Sequence, residues 1–284
     1  MSIGERLRAH GLAPKKRFGQ NFLTDAHAAA TIAAAATEPE GGVVVEIGPG
    51  AGALTRHLLA RAARAVAIEY DRDLLPILAE DFAPAIAEGR LELVHADALD
   101  IDWAERLAAG PPPRALAGNL PYLITGRLLE RAIQIADCID RAVFMVQAEV
   151  ADRIIAPPDG DAYGALSVFV QAAFTPRKIL TVRGGAFYPR PEVDSAVVLL
   201  VPHRPRRAEE TEAFRAAVRA AFGARRKTLR NAWKGLYGWS REELEARAIE
   251  ARISLDKRGE TLSVDDFARF AALAPPAEPA APRR

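Results

Sequence analysis

Asn119-Leu120-Pro121-Tyr122 joins a side-chain amide, a proline-stiffened turn and an aromatic ring, a combination suited to alkylating an exocyclic amine on a flat base. Such an amine is a poor nucleophile because its lone pair is delocalised into the ring. A catalyst must draw that density back onto nitrogen while holding the base still. The Asn119 side-chain oxygen can accept one N–H and the backbone carbonyl beside Leu120 the other. Tyr122 offers the stacking face with which proteins grip an unstacked base.

A methyl donor is suggested upstream. Val43-Val44-Val45 runs into Glu46-Ile47-Gly48-Pro49-Gly50-Ala51-Gly52, followed by Leu54, Leu58 and Leu59 at helical spacing, which reads as a buried strand, a glycine-rich turn and a helix. The glycines do not follow the G-x-G-x-x-G spacing that seats a pyrophosphate on a helix N-terminus, and Glu46 at the strand end would repel one. S-adenosylmethionine carries an ammonium and a sulfonium and no phosphate, so an acidic strand end suits it. Ala65-Val66-Ala67-Ile68 ends at Glu69, placed to accept both ribose hydroxyls, and Leu91-Glu92-Leu93-Val94 ends near Asp97, placed for the adenine amino group.

With these motifs the chain resembles the ribosomal RNA adenine N6,N6-dimethyltransferases, above all the bacterial type that dimethylates two adjacent adenosines in the hairpin loop near the 3′ end of small-subunit (16S) rRNA. The resemblance runs from about Lys15 to Phe270. It rests on Gly19-Gln20-Asn21-Phe22-Leu23, Glu46-Ile47-Gly48-Pro49-Gly50, Glu69, Asp97, Asn119-Leu120-Pro121-Tyr122 and the stretch from Phe187-Tyr188-Pro189 to Val193-Asp194-Ser195. It implies that Asn21, Leu23, Gly48, Glu69, Asp97 and Asn119 contact the cofactor, and that Tyr122 and Phe187 sandwich the target adenine. The expected reaction is direct in-line displacement, in which the amine takes the methyl group without a metal or a covalent enzyme intermediate. Alignment of the reactants then carries much of the catalysis, about 7 to 11 kcal/mol at best. Leu120, where amino-methyltransferases of DNA often have proline, is expected to leave room for a singly methylated amine to turn and react again.

Net charge is only +1, but it is segregated: from Val201 onward 18 Lys and Arg face 12 Asp and Glu, and the remainder carries 20 against 25. The basic character concentrates between His203 and Lys234, where Arg225, Arg226, Lys227 and Arg230 lie within a helical pattern. These four are the candidate RNA contacts, and phosphate binding there would be salt-dependent. A single cysteine, Cys138, excludes intrachain disulfides and is expected in the core. The five histidines are scattered, so no zinc site is expected. With no membrane-length apolar run and no signal-peptide core, a cytoplasmic monomer is expected, its partner 16S rRNA in an assembling 30S subunit.

The alternation of apolar runs predicts a doubly wound, mainly parallel, seven-stranded sheet with its ligand at the carboxyl edge, plus a small all-α C-terminal domain, and the resemblance implies that the α/β part has the Rossmann-like fold of the class I methyltransferases. Strands are expected near 43–47, 65–69, 91–94, 114–118, 141–147, 177–183 and 193–201. Helices are expected near 53–63, 72–87, 124–136, 149–155 and from Tyr163 to Phe174, and beyond the linker near 209–222, 226–236, 241–248 and 263–272. The domains are set at 1–14, a mobile arm; 15–202, catalytic; 203–273, helical and RNA-contacting; and 274–284, a disordered tail. Lys15-Lys16-Arg17 reads as a basic patch. Three other functions share some of these features. One is a large-subunit rRNA dimethylase of the macrolide-resistance type, another an assembly factor acting by occupancy, and the last a small-molecule methyltransferase. Leu120 and Arg226-Lys227-Thr228-Leu229 favour the small-subunit enzyme over the first, and a basic C-terminal domain would be superfluous for the last.

Overall fold

The computed structural model describes residues 3–224 and 226–276. Two compact units emerge: residues up to Ile155 together with Phe174–Arg204, and Ala156–Ala173 together with the residues from Pro205 onward.

In the larger unit seven strands make one sheet: β1 (Val43–Ile47), β2 (Arg64–Glu69), β3 (Leu91–His95), β4 (Arg114–Asn119), β5 (Arg141–Gln147), β6 (Phe174–Val182) and β7 (Ser195–Pro202). Their order is β3-β2-β1-β4-β5-β7-β6. The first five are parallel to one another, and β7 runs antiparallel to both β5 and β6. Every residue of β1 is buried, as expected for a strand covered on both faces, which explains the apolar run Val43-Val44-Val45 and leaves Glu46 as a buried carboxyl within it. One face carries small side chains, Ala65, Ala67, Ala115 and Ala117, in a common core with Ala28, Ala29 and Ala33 of the helix Ala26–Ala36. Alanine on both partners lets helix and sheet approach closely, so the alanine-rich stretch is a packing surface. Asp25 caps that helix by accepting the His27 and Ala28 N–H groups.

Several details depart from the sequence reading. The expected mobile arm contains a helix, Ile3–Ala9, whose Leu7 is buried with Phe22, Ala51, Leu74 and Ile77. The helix expected over 72–87 is two, Leu75–Asp81 and Ala83–Ala87, because Pro84 has no N–H to continue the first ladder. Cys138 is exposed: in the turn Ala136–Cys138 the buried positions go to Ala136 and Ile139. The short helix Trp103–Ala108 and a two-residue ladder between Phe22–Leu23 and Phe187–Tyr188 were not expected.

The smaller unit is helical. Its helix Ala165–Ala173, placed by sequence in the larger domain, shares a core with Phe214, Trp233 and Phe267 through Val168 and Ala172, and the Tyr163 hydroxyl donates to the Leu262 carbonyl. Trp233 stacks on Phe270 at 3.9 Å and donates its indole N–H to the Ala217 carbonyl. The helix expected over 226–236 shrinks to Leu229–Ala232, since Gly235, Tyr237 and Gly238 all take positive φ and turn the chain away. Helices Arg241–Glu250 and Val264–Ala271 each begin with a capping box, Ser240/Glu243 and Ser263/Asp266. Among the described residues no helix is long and apolar enough to cross a membrane.

Candidate active site

Because β3, β2, β1 and β4 are adjacent and parallel, their carboxyl ends deliver Asp97, Glu69, Gly48 and Asn119 to one edge of the sheet. β1 lies at the point where chain order reverses, the usual ligand crevice of such sheets. There a cavity of about 280 Å³ is lined by Asn21, Leu23, Glu46, Gly48, Glu69, Asp97, Asn119, Leu120, Pro121 and Tyr122. Every expected cofactor contact therefore borders one space.

The turn after β1 is shaped by its glycines. Gly48 and Gly50 have φ of 69° and 58°, values strained for other residues. The turn is tied down by Gly48 N–H donating to the Ile68 carbonyl at 3.0 Å and Gly50 N–H donating to Glu69 Oε2 at 3.0 Å. Glu69 also accepts the Asp71 N–H at 2.7 Å. Burial raises its carboxyl to about 7 despite these donors. Glu46 behind it is 1 % exposed, and its Oε2 has no hydrogen-bond partner. Burial, with the Glu69 charge pushing the same way, raises Glu46 to about 8. Asp97 accepts the Leu99 N–H at 2.9 Å, and the Trp103 indole pins the adjoining turn by donating to the Ala98 carbonyl. The donor set is therefore acidic, with one buried carboxylate oxygen unsatisfied, and it suits a cationic, phosphate-free cofactor.

Asn119 is the last residue of β4. Its Nδ2 donates to the Asn21 carbonyl at 2.9 Å, which fixes the amide and leaves Oδ1 as its available acceptor. Leu120 is 1 % exposed and donates its N–H to the Met145 carbonyl. The Pro121 carbonyl is occupied by the Ile124 N–H and the Thr125 hydroxyl, which leaves the Leu120 carbonyl as the acceptor for a second N–H. Tyr122 is anchored at its hydroxyl to Ser195 Oγ at 2.8 Å, and burial pushes its phenol above the usual range.

Phe187 is placed differently from its expected partner Tyr122. It is buried, pairs with Leu23 in the short ladder, and lines a second recess and not the cavity. The basic patch at Lys15 also changes meaning, because the Lys15 ammonium is held by Asp71 and Asp73 at 2.5 and 2.6 Å, and the Gln20 amide donates to Asp71. These bonds fasten Lys15–Leu23 as a strap along the cavity. Sequence reasoning missed Phe18 and Tyr70 on the cavity wall, whose rings meet edge to face at 5.3 Å. The position of Tyr70 directly after Glu69 was the available signal.

In the smaller unit Arg226 and Lys227 are exposed. Arg230 is half-buried and paired with Glu245 and Asp256 at 2.6 and 3.2 Å, which weakens its case as a phosphate contact, and Arg225 lies outside the described residues. Lys257 and Arg258 are exposed and stand beside this loop, because Leu229 N–H donates to the Lys257 carbonyl. That juxtaposition of distant segments left no trace in the sequence.

The family model described as "Ribosomal RNA adenine dimethylase" matches residues 11–274. The chain is 42% identical over 266 residues to "Ribosomal RNA small subunit methyltransferase A" of Geobacter metallireducens, covering 92% of this chain and 96% of that one. It is 44% identical over 272 residues to the protein of the same name from Moorella thermoacetica, covering 92% and 93%. Among solved structures, a 23S rRNA methyltransferase, ErmE, superposes with a TM-score of 0.67 at 26% identity, covering 89% of this chain and 99% of the other. A dimethyladenosine transferase from Plasmodium falciparum superposes with a TM-score of 0.71 at 23% identity over 88% and 95%, and shares the fold. A match spanning both units, together with relatives aligned almost end to end, shows that the chain belongs to the ribosomal RNA adenine dimethylase family.

Proposed function

We propose that the chain transfers methyl groups from S-adenosylmethionine to N6 of two adjacent adenosines in the 3′-terminal hairpin loop of small-subunit rRNA, during 30S subunit assembly. The observation that carries this reading is the Asn119 amide, locked by the Asn21 carbonyl with its oxygen left to a cavity that Glu69 and Asp97 also line. The names of the relatives aligned across nearly the whole chain support the small-subunit substrate.

S-adenosylmethionine, when bound, supplies a methyl group already activated by its sulfonium. The chain's own residues bind and orient: Glu69 takes ribose hydroxyls, Asp97 the adenine amino group, and Asn21, Leu23 and Gly48 complete the wall. Asn119 Oδ1 and the Leu120 carbonyl accept the two N–H bonds of the target amine, drawing its lone pair out of conjugation at the nitrogen. Tyr122, braced by Ser195, stacks on the base. The closed alignment of the amine is the main catalytic device. Arg226 and Lys227, with Lys257 and Arg258 beside them, supply phosphate contacts.

The deciding experiment is methyl transfer to small subunits lacking the modification, with large subunits as control and mass spectrometry of the nucleosides. Dimethyladenosine confined to small-subunit RNA is expected. Label in large-subunit RNA would favour the resistance-type activity instead, and cofactor binding with no label in either would point to an assembly role.

Two further outcomes follow from the site. Glu46 and Glu69 have carboxyls raised above their ordinary value, so their contribution to stability is complete below about pH 4.5 and is lost as pH climbs through about 7 and 8. Cofactor binding runs the other way, because a cation and two ribose hydroxyls favour the ionised carboxylates. Affinity for S-adenosylmethionine should therefore rise roughly tenfold between about pH 6 and pH 8, measured by titration calorimetry; a flat profile would remove the ionised Glu69 from cofactor binding. Leu120→Pro should shift the product towards the monomethyl nucleoside, and an unchanged yield of dimethyladenosine would refute the role given to Leu120.

A further inference from the structure

Three large apolar side chains of the larger unit are exposed among the described residues, Tyr70, Leu123 and Val193, and all three gather at the site of methyl transfer. Tyr70 and Leu123 border the cavity, and Val193 stands two residues before Ser195, whose hydroxyl anchors Tyr122. Exposed leucines scattered over a surface need no explanation, whereas apolar side chains collected at the mouth of one cavity mark a surface that meets a partner. We infer that Leu123 is a wedge: it enters the rRNA loop at the place vacated by the target adenosine and keeps that base from restacking while Tyr122 holds it.

The inference rests on the small-subunit reading above and adds a residue to it. Leu123 is 73 % exposed, yet its backbone is not free to swing. The Ile124 N–H and the Thr125 hydroxyl both close on the Pro121 carbonyl, which sets Leu123 in a tight turn directly after Tyr122. On one side the leucine leans on the strap: a Cβ built at Gly19 would lie 3.8 Å from its Cγ and Cδ1, so the strap backbone supports the side chain without crowding it. Its remaining surface faces water beside the acceptors of the target amine. A base turned out of its stack leaves a gap with flat apolar faces, and leucine is among the side chains that proteins insert between bases to hold such a gap open. Arg17 indicates that the partner is a nucleic acid. Its guanidinium lies 4.7 Å from the centroid of the Phe18 ring on the same cavity wall, and it is exposed and makes no ion pair among the described residues. Lys15, by contrast, is neutralised by Asp71 and Asp73. An uncompensated guanidinium beside an aromatic ring and exposed apolar side chains is the mixture that grips phosphate and base together in a single strand.

The test compares Leu123→Ser with Leu123→Met in single-turnover methyl transfer to unmodified small subunits. A parallel set of subunits is reconstituted with 2-aminopurine at one target position, whose fluorescence rises as the base leaves its stack. Leu123→Ser should lower the limiting rate about tenfold or more and give less than about half of the wild-type fluorescence rise at saturating enzyme, the scale of losing one stacked contact. Leu123→Met, apolar and of similar volume, should stay within about twofold of wild type on both measures. Cofactor affinity by calorimetry and the unfolding midpoint should keep their wild-type values in both variants, because the side chain stands mostly in water. Wild-type rate and fluorescence in Leu123→Ser would overturn the wedge alone, and so would a loss confined to cofactor affinity, which would make Leu123 a prop for the strap. Failure of the wild type to methylate small subunits would overturn the proposed function and this inference together.

Discussion

Asn119→Ala is expected to lower methyl transfer about a hundred- to a thousandfold, the usual cost of removing one preorganised hydrogen-bonding group aimed at developing charge. The amide cannot be replaced by a neighbour, since the Pro121 carbonyl is already occupied by Ile124 and Thr125 and the Leu120 carbonyl takes only one N–H. Tyr122 separates two roles. Tyr122→Ala should abolish stacking and cost about ten- to a hundredfold, with cofactor affinity retained. Tyr122→Phe loses only the bond to Ser195 and should keep most activity. Single-turnover rates on small subunits, with cofactor affinity by calorimetry, are the measurements; full activity of Asn119→Ala, or equal loss in both Tyr122 variants, would refute these roles.

Gly118→Ala should be the most damaging small substitution in the chain's centre. A Cβ at Gly118 would stand 2.6 Å from the Ile47 carbonyl oxygen, a contact between β4 and β1 that no side-chain rotation relieves. Parting the two central strands is expected to cost about 2 to 3 kcal/mol, in the range of core overpacking, and to lower the unfolding midpoint by roughly 5 to 10 °C. Activity should fall further than stability, because the displaced strand end carries Asn119. Gly126→Ala is the control: nothing lies within 4 Å of its Cβ position, and alanine in the helix Thr125–Gln134 should be neutral or stabilising by a few tenths of a kcal/mol. An unfolding midpoint for Gly118→Ala equal to that of the control would show that the strands adjust freely.

What the sequence made legible was what depends on local pattern. The runs Val43–Val45 and Ala65–Ile68 were apolar, and acidic residues at or just past strand ends marked where the sheet meets the cavity, so Glu69 and Asp97 could be named from them and Asn119 from its own motif. Features that depend on distant partners were hidden. The ladder of Phe22–Leu23 with Phe187–Tyr188 is too short for a periodic signal, yet it sets where Phe187 points. Lys15 looked like free charge until the fold set Asp71 and Asp73 against it. Arg230 was drawn into pairs by Glu245 and Asp256 in the same way. The helix Ala165–Ala173 is apolar enough to suit either unit, and only tertiary packing chose between them.

The strap Lys15–Leu23 has a thermodynamic consequence. The same few residues wall the cofactor cavity through Asn21 and Leu23, fasten to the end of β2 through Lys15, and hold the Asn119 amide through the Asn21 carbonyl. A ligand that steadies the strap therefore steadies the group that grips the other substrate, and linkage requires the effect to be reciprocal. Cofactor and RNA should each raise the other's affinity by one common factor.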